Sequence, residues 1–206
     1  LCDIDETGEI LIMGNNVFPG YVDNLHNQSL WITTPAGEKM VRTGDLGRVD
    51  RNGYLSLCGR QKELIIRGGH NIDPKMIEDV AASHPDVLLA AAVPRPDAYS
   101  GELPVLYLTL IENSTVTKAA LEQFMKDNVP ERAAMPKIIN IVDEMPLTAV
   151  GKMFKPELVC REIKQVISLV LAEKFSEEKY QITVKPDKKH YSFHYHVVCT
   201  DKILSE

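Results

Sequence analysis

Few stretches of this 206-residue chain combine residue types and spacing that suit chemistry. Lys152 follows Gly151 in PLTAVGK (146–152). A lysine carries its charge on a long flexible stem, and a glycine beside it lets the backbone approach a ligand, so the pair suits negative charge gathering on oxygens. An ordinary surface turn carries the same pair. Asp45, in RTGD (42–45), offers two acceptor oxygens, or caps its own turn. Arg60, in GRQKE (59–63), is a fixed cation or half of a surface ion pair. Gly68 and Gly69, between Arg67 and His70, leave space for a ligand or simply make a tight turn. Near the C-terminus, alternation along a strand would put His190, Ser192, His194, His196 and Val198 on one face and Tyr191, Phe193, Tyr195, Val197 and Cys199 on the other. Three imidazoles suit Zn²⁺ or Ni²⁺. Their spacing fits no ligand pattern and no acidic residue completes the set, so the histidines are read as facing solvent and no metal site is assigned.

These residues need elements to hold them. From Gly8 to Cys58 the chain reads as short strands cut by turns, with Arg51-Asn52-Gly53 as a hairpin signal, which predicts a small β-subdomain. Beyond Gly59 strands alternate with helices, implying a second, α+β unit. A short strand over 64–66 ends at Gly68-Gly69, and Asp73-Pro74 caps and opens a helix that Pro85 stops. Buried strands are predicted over 87–93 and 105–111, separated by a polar loop. Thr117 opens a second helix carrying Leu121, Phe124 and Met125 on one side. A strand over 137–142 leads to the PLTAVGK loop. Pro156 starts a third helix with Leu158, Ile163, Val166, Ile167, Val170 and Leu171 on its apolar face, and the remainder predicts a hairpin turned at Pro186-Asp187.

Composition narrows the function. With 44% apolar and 25% charged residues the chain should fold, and a formal charge of −6 without a basic cluster argues against nucleic-acid or anionic-membrane partners. Four scattered cysteines, Cys2, Cys58, Cys160 and Cys199, fit a reducing, cytoplasmic setting better than a disulfide framework. No stretch is long and apolar enough to span a membrane. The chain opens on Leu inside a β-rich pattern and reads as the C-terminal portion of a longer protein.

The run RTGDLGRVDRNGYLSLCGRQKELIIRGGHNIDP (42–74), followed by PLTAVGK, resembles the nucleotide-gripping and hinge segments of the acyl-adenylate-forming enzymes: acyl-CoA synthetases, peptide-synthetase adenylation domains and firefly luciferase. The resemblance covers about residues 8–160 and lies nearest the fatty-acid-activating branch. It implies residues 1–61 as the end of a large N-terminal AMP-binding domain, 62–160 as a mobile C-terminal domain, and 161–206 as an extension of helix plus hairpin. It implies Lys152 as the catalytic lysine, Asp45 as acceptor for the ribose hydroxyls, and Arg60 beside ribose and phosphates. Lys62 becomes the hinge, and Gly68-Gly69 the loop nearest CoA. Gly20-Tyr21 and Asp97 to Glu102 are structural. The expected reaction makes an acyl-adenylate from ATP and a carboxylic acid and passes the acyl group to CoA, with Mg²⁺ held by a residue outside this chain. The alternatives are a ligase serving a carrier protein and a lid-like module without catalysis. The phosphate-binding loop is missing, so the fragment alone is not expected to turn over. Pro146, Gly151 and Lys152 also fit the Pro-x4-Gly-Lys pattern at which some of these enzymes are acetylated, implying a lysine acetyltransferase as a further partner.

Overall fold

A computed structural model describes residues 2–175, 179–187 and 192–199. Contacts divide the chain into two units, one ending at Glu63 and the other beginning at Leu64. Together their elements make a mixed α+β protein, as expected.

The first unit is an antiparallel sheet built on one long strand. β1 (Gly8–Ile12) pairs with β3 (Lys39–Val49) along one edge, while β2 (Trp31–Thr33) and β4 (Leu55–Arg60) share the other. RTGD lies within β3, although Gly and Asp are depleted from strands. Register shifts, between Glu9 and Leu11 against β1 and between Asp45 and Gly47 against β4, absorb the irregularity as bulges. The 51–53 turn forms as expected, held by Asp50, whose Oδ1 accepts from the amides of Asn52 (2.8 Å) and Tyr54 (2.9 Å).

The second unit has three layers. Its five-stranded sheet runs β6 (His70–Ile72), β5 (Ile65–Arg67), β8 (Gly101–Leu110), β7 (Val87–Asp97), and β9 (Ile138–Ile141) pairs in parallel with β8. Period-two alternation along β8 divides the core. Leu106 and Leu108 pack with Ile77 of α1 (Pro74–Ala82) and Leu121 and Met125 of α2 (Lys118–Asn128), whereas Val105 and Tyr107 pack with Leu158 and Val159 of α3 (Lys155–Ala172). The caps form as expected: Asp73 accepts from the Lys75 amide at 2.9 Å and Thr117 from that of Ala120 at 3.2 Å.

Three local expectations change. The polar stretch between the buried strands is mostly strand, because β7 and β8 form one hairpin in which Pro94 stands opposite Pro104. Two facing prolines need exchange no amide bonds with each other, and among the described residues β7 has no strand on its other side to miss a donor. On α3 the buried residues are Leu158, Val159 and Glu162, while Val170 is exposed. Finally, Pro186 and Asp187 continue β10 (Tyr180–Asp187) opposite Phe193 and Ser192 of β11 (Ser192–Cys199), so they do not turn the C-terminal hairpin.

Candidate functional site

In the first unit, Asp45 and Arg60 are brought together. They stand opposite each other in the β3–β4 register, and Arg60 Nε donates to Asp45 Oδ1 at 2.9 Å. Both remain substantially exposed, with side chains 63% and 39% accessible, so the pair is open to a ligand. Glu9, which sequence reasoning missed, holds the preceding residues. Its Oε2 accepts from Arg42 Nε (2.8 Å) and Nη2 (2.6 Å), and its Oε1 from the Gly44 amide (3.1 Å). The hydrogen bond to Glu9, then its charge, raises the Arg42 guanidinium further above its ordinary value. Thr43 completes the brace: its hydroxyl donates to the Ile10 carbonyl and accepts from the Asp45 amide at 3.0 Å. Lys62 follows in a single 3₁₀ turn, Gln61–Glu63.

In the second unit, Gly68 and Gly69 form the two-residue turn between β5 and β6, with Arg67 paired to His70. Their φ values of +55° and +86° are those of a type I′ turn, and a Cβ at either would meet nothing within 4 Å. The pair is a tight turn, and the space over it is open. Beside it lies a shallow cavity of about 330 Å³ lined by Arg67, Gly68, His70, Ser100, Arg132 and Ala133. Arg67 is fixed by donating to the Ala133 carbonyl at 2.6 Å, and Gly68 N–H donates to Ser100 O at 2.7 Å. Arg132 was not legible as a site residue, since only tertiary folding brings residue 132 beside residue 68. The Asp97 loop is structural, as expected: Asp97 Oδ1 accepts from the amides of Ser100 (2.7 Å) and Tyr99 (3.1 Å). The Ser100 amide is the main reason its carboxyl sits below the ordinary aspartate range.

Lys152 occupies a separate loop of this unit. Both legs are tied: Phe154 N–H donates to Pro146 O (2.7 Å), Leu147 bridges Met153, and Thr148 N–H donates to Lys152 O (2.6 Å). The Thr148 hydroxyl accepts from the Lys152 amide at 3.0 Å. Gly151 turns the tip at φ +77°. The loop roots in the core through buried Met145 and through Met153, which packs beside Leu158. Lys152 itself is exposed, and among the described residues no acid pairs with its ammonium.

Of the histidine face, His190 lies outside the described residues. His194 and His196 are exposed, as expected, while an acid does meet the set: His194 Nε2 lies 2.9 Å from Asp187 Oδ2. Among the described residues no group of three or more His, Cys, Asp or Glu could hold a metal ion, and no helix is long and apolar enough to cross a membrane.

Comparison with known proteins matches residues 76–152 to the AMP-binding enzyme C-terminal domain family. The chain is 48% identical over 170 residues to the marinolic acid–CoA ligase of Pseudoalteromonas sp. (strain SANK 73390), covering 81% of this chain and 25% of that protein. It is 36% identical over 152 residues to the indoleacetate–CoA ligase of Aromatoleum aromaticum, covering 74% and 29%. Among solved structures, it is similar to the o-succinylbenzoate CoA synthetase of Bacillus subtilis in complex with its acyl-adenylate intermediate, with a TM-score of 0.66, 31% identity, and coverage of 76% of this chain and 31% of that one. The chain thus spans roughly a quarter to a third of the length of these relatives.

Proposed function

We infer, because the chain belongs to the acyl-adenylate-forming superfamily and carries at residues 76–152 the C-terminal domain of its AMP-binding enzymes, that the complete protein is an ATP-dependent acid–CoA ligase. The observation that carries this reading is the placing of Lys152. It is the last residue of the matched domain and the exposed cation at the tip of a loop tied at both legs.

In the first half-reaction a carboxylate oxygen bonds to the α-phosphorus of ATP, the bond from that phosphorus to the bridging oxygen breaks, and pyrophosphate leaves with the electron pair. Two anions must meet, so a fixed cation between carboxylate and phosphate oxygens lowers the barrier. Lys152 supplies it. Asp45 accepts from the ribose hydroxyls through two oxygens, and Arg60 orients that carboxylate and lies near the phosphates. In the second half-reaction the CoA sulfur bonds to the acyl carbon, AMP leaves, and the thiol proton passes to solvent. Lys62 is the pivot between the two steps, and Gly68 and Gly69 let the thiol arm pass close to the backbone.

The cavity beside Gly68 favours CoA over a carrier protein or a lid without catalysis. Arg67, Arg132 and His70 line it, and two guanidinium groups suit a nucleotide bearing several phosphates. For the Mg²⁺ that accompanies ATP in this chemistry, no group of three or more His, Cys, Asp or Glu ligands is present among the described residues. A carboxylic acid is the substrate class. A fatty acid is the narrower expectation, and the marinolic acid and indoleacetate in the relatives' names do not single it out. The reading puts the enzyme in the cytoplasm, where acetylation of Lys152 would neutralise the cation and stop adenylation.

A panel of carboxylates given to the complete protein with ATP and CoA tests the reading. Formation of AMP and an acyl-CoA in equal amounts from at least one acid is expected. ATP consumption that depends on no acid, or acyl-adenylate that never passes to CoA, would overturn it.

A further inference from the structure

We propose that Lys155 is a positioning residue for adenylation, fixing the base of the Lys152 loop through its ion pair with Glu78; the proposal rests on the assignment of Lys152 to that step. Lys155 is the first residue of α3, three beyond Lys152, and its Nζ lies 3.0 Å from Glu78 Oε1 of α1. The same oxygen accepts the amide of Ala92 in β7 at 2.8 Å. One carboxylate oxygen therefore joins α1, β7 and the start of α3. Both side chains are about four-fifths shielded, at 21% and 18% exposure, where a charge pair is screened less than on an open surface.

The residue type supports a specific role. A helix N-terminus is the positive end of the helix dipole and favours acids, so a lysine there is unfavourable for the helix itself. Phe154, at the cap position, contributes no side-chain hydrogen bond either. The cation is accounted for by Glu78, and by Asp73 at the start of α1, whose carboxyl feels Lys155.

From Lys155 the restraint passes to Lys152 through a short ladder. Phe154 is bonded to Pro146, Met153 is bridged to Leu147, and the Lys152 carbonyl accepts the Thr148 amide. A loop laced in this way moves as a body with its base, so loosening Lys155 displaces the Lys152 ammonium. A misplacement of about 1 Å in a reacting constellation can cost about a hundredfold in rate.

The test uses the complete protein with Lys155→Met, Lys155→Arg, Glu78→Gln and Lys152→Ala in parallel, measuring carboxylate-dependent ATP/pyrophosphate exchange and thioester formation from supplied acyl-adenylate. Lys155→Met is expected to lower the kcat of exchange about tenfold or more, leaving KM for ATP and the thioester step unchanged. Lys155→Arg restores most of the exchange rate. Glu78→Gln, which keeps an acceptor for Ala92, behaves like Lys155→Met and carries the test if Lys155→Met does not fold. Full exchange in Lys155→Met and Glu78→Gln beside a dead Lys152→Ala overturns this proposal alone, as does equal loss of both half-reactions or an arginine no better than methionine. Full exchange in Lys152→Ala overturns the catalytic assignment and this proposal with it.

Discussion

Arg60 stands opposite Asp45 across the β3–β4 ladder and donates from Nε to its Oδ1 at 2.9 Å. An ion pair this exposed contributes about 0–1 kcal/mol to stability. Its value lies in orientation, because the guanidinium fixes one carboxylate oxygen and among the described residues Oδ2 is left without a partner. Asp45→Ala and Arg60→Ala should each leave the melting temperature within a few degrees. Each should raise the KM for ATP about tenfold, the effect of losing roughly 1.4 kcal/mol of ligand hydrogen bonding. Initial rates against ATP concentration read it, and unchanged KM in both variants would remove the nucleotide role from the pair.

Arg132 lines the cavity beside the Gly68-Gly69 turn and should act only in the second half-reaction. Arg132→Ala is expected to raise the KM for CoA about tenfold or more while ATP/pyrophosphate exchange is kept, the loss of a charge-assisted bond to phosphate. Steady-state kinetics with CoA varied checks it, with dephospho-CoA in a second series. A variant equally slow in exchange contradicts the assignment.

Lys62→Pro fixes φ at the proposed pivot. Exchange should survive and thioester formation fall, as single-turnover measurements with supplied acyl-adenylate would show. An unharmed thioester step would take Lys62 out of the hinge role.

Tyr107 donates to Oε1 of the fully buried Glu162 at 2.5 Å, and Arg95 Nη1 donates to its Oε2 at 2.5 Å. Burial first, and then the bond to Glu162, push the Tyr107 phenol above its ordinary value. The raised value means that the folded state prefers the neutral phenol. Its contribution is fully present below the unfolded tyrosine value of about 10 and is lost as pH rises through the higher folded value. Tyr107→Phe should cost about 1–3 kcal/mol at pH 8 by withdrawing a donor from a buried carboxylate. It should also flatten the decline above pH about 10. Urea midpoints at pH 8 and pH 11 for both proteins decide this, and parallel declines would show that Tyr107 does not titrate with unfolding.

Local signals in the chain were the legible ones. Caps at Asp73 and Thr117 and the turns at 51–53 and 68–69 depend on neighbours a few residues apart and form as expected, and Gly151 turns the tip of the Lys152 loop. What stayed hidden depends on tertiary pairing. That RTGD lies inside a strand was hidden because bulges in β3 are set by partner strands. Pro94 and Pro104 read as loop because their harmless opposition appears only once the hairpin is registered. Glu162 was the one readable signal passed over: it lies four residues after Leu158 on the buried face of α3, and an acid there must find partners, here Tyr107 and Arg95. Arg132 meets Gly68 at the cavity, and Glu78 meets Lys155, only through folding that joins residues more than ten apart.

Lys152→Ala in the complete protein, assayed for both half-reactions, tests the account most directly. The account predicts carboxylate-dependent ATP/pyrophosphate exchange reduced by about a thousandfold, on the scale of losing one preorganised stabilising group, with thioester formation from supplied acyl-adenylate near the parent rate. Exchange at the parent rate, or equal loss of both steps, would contradict it.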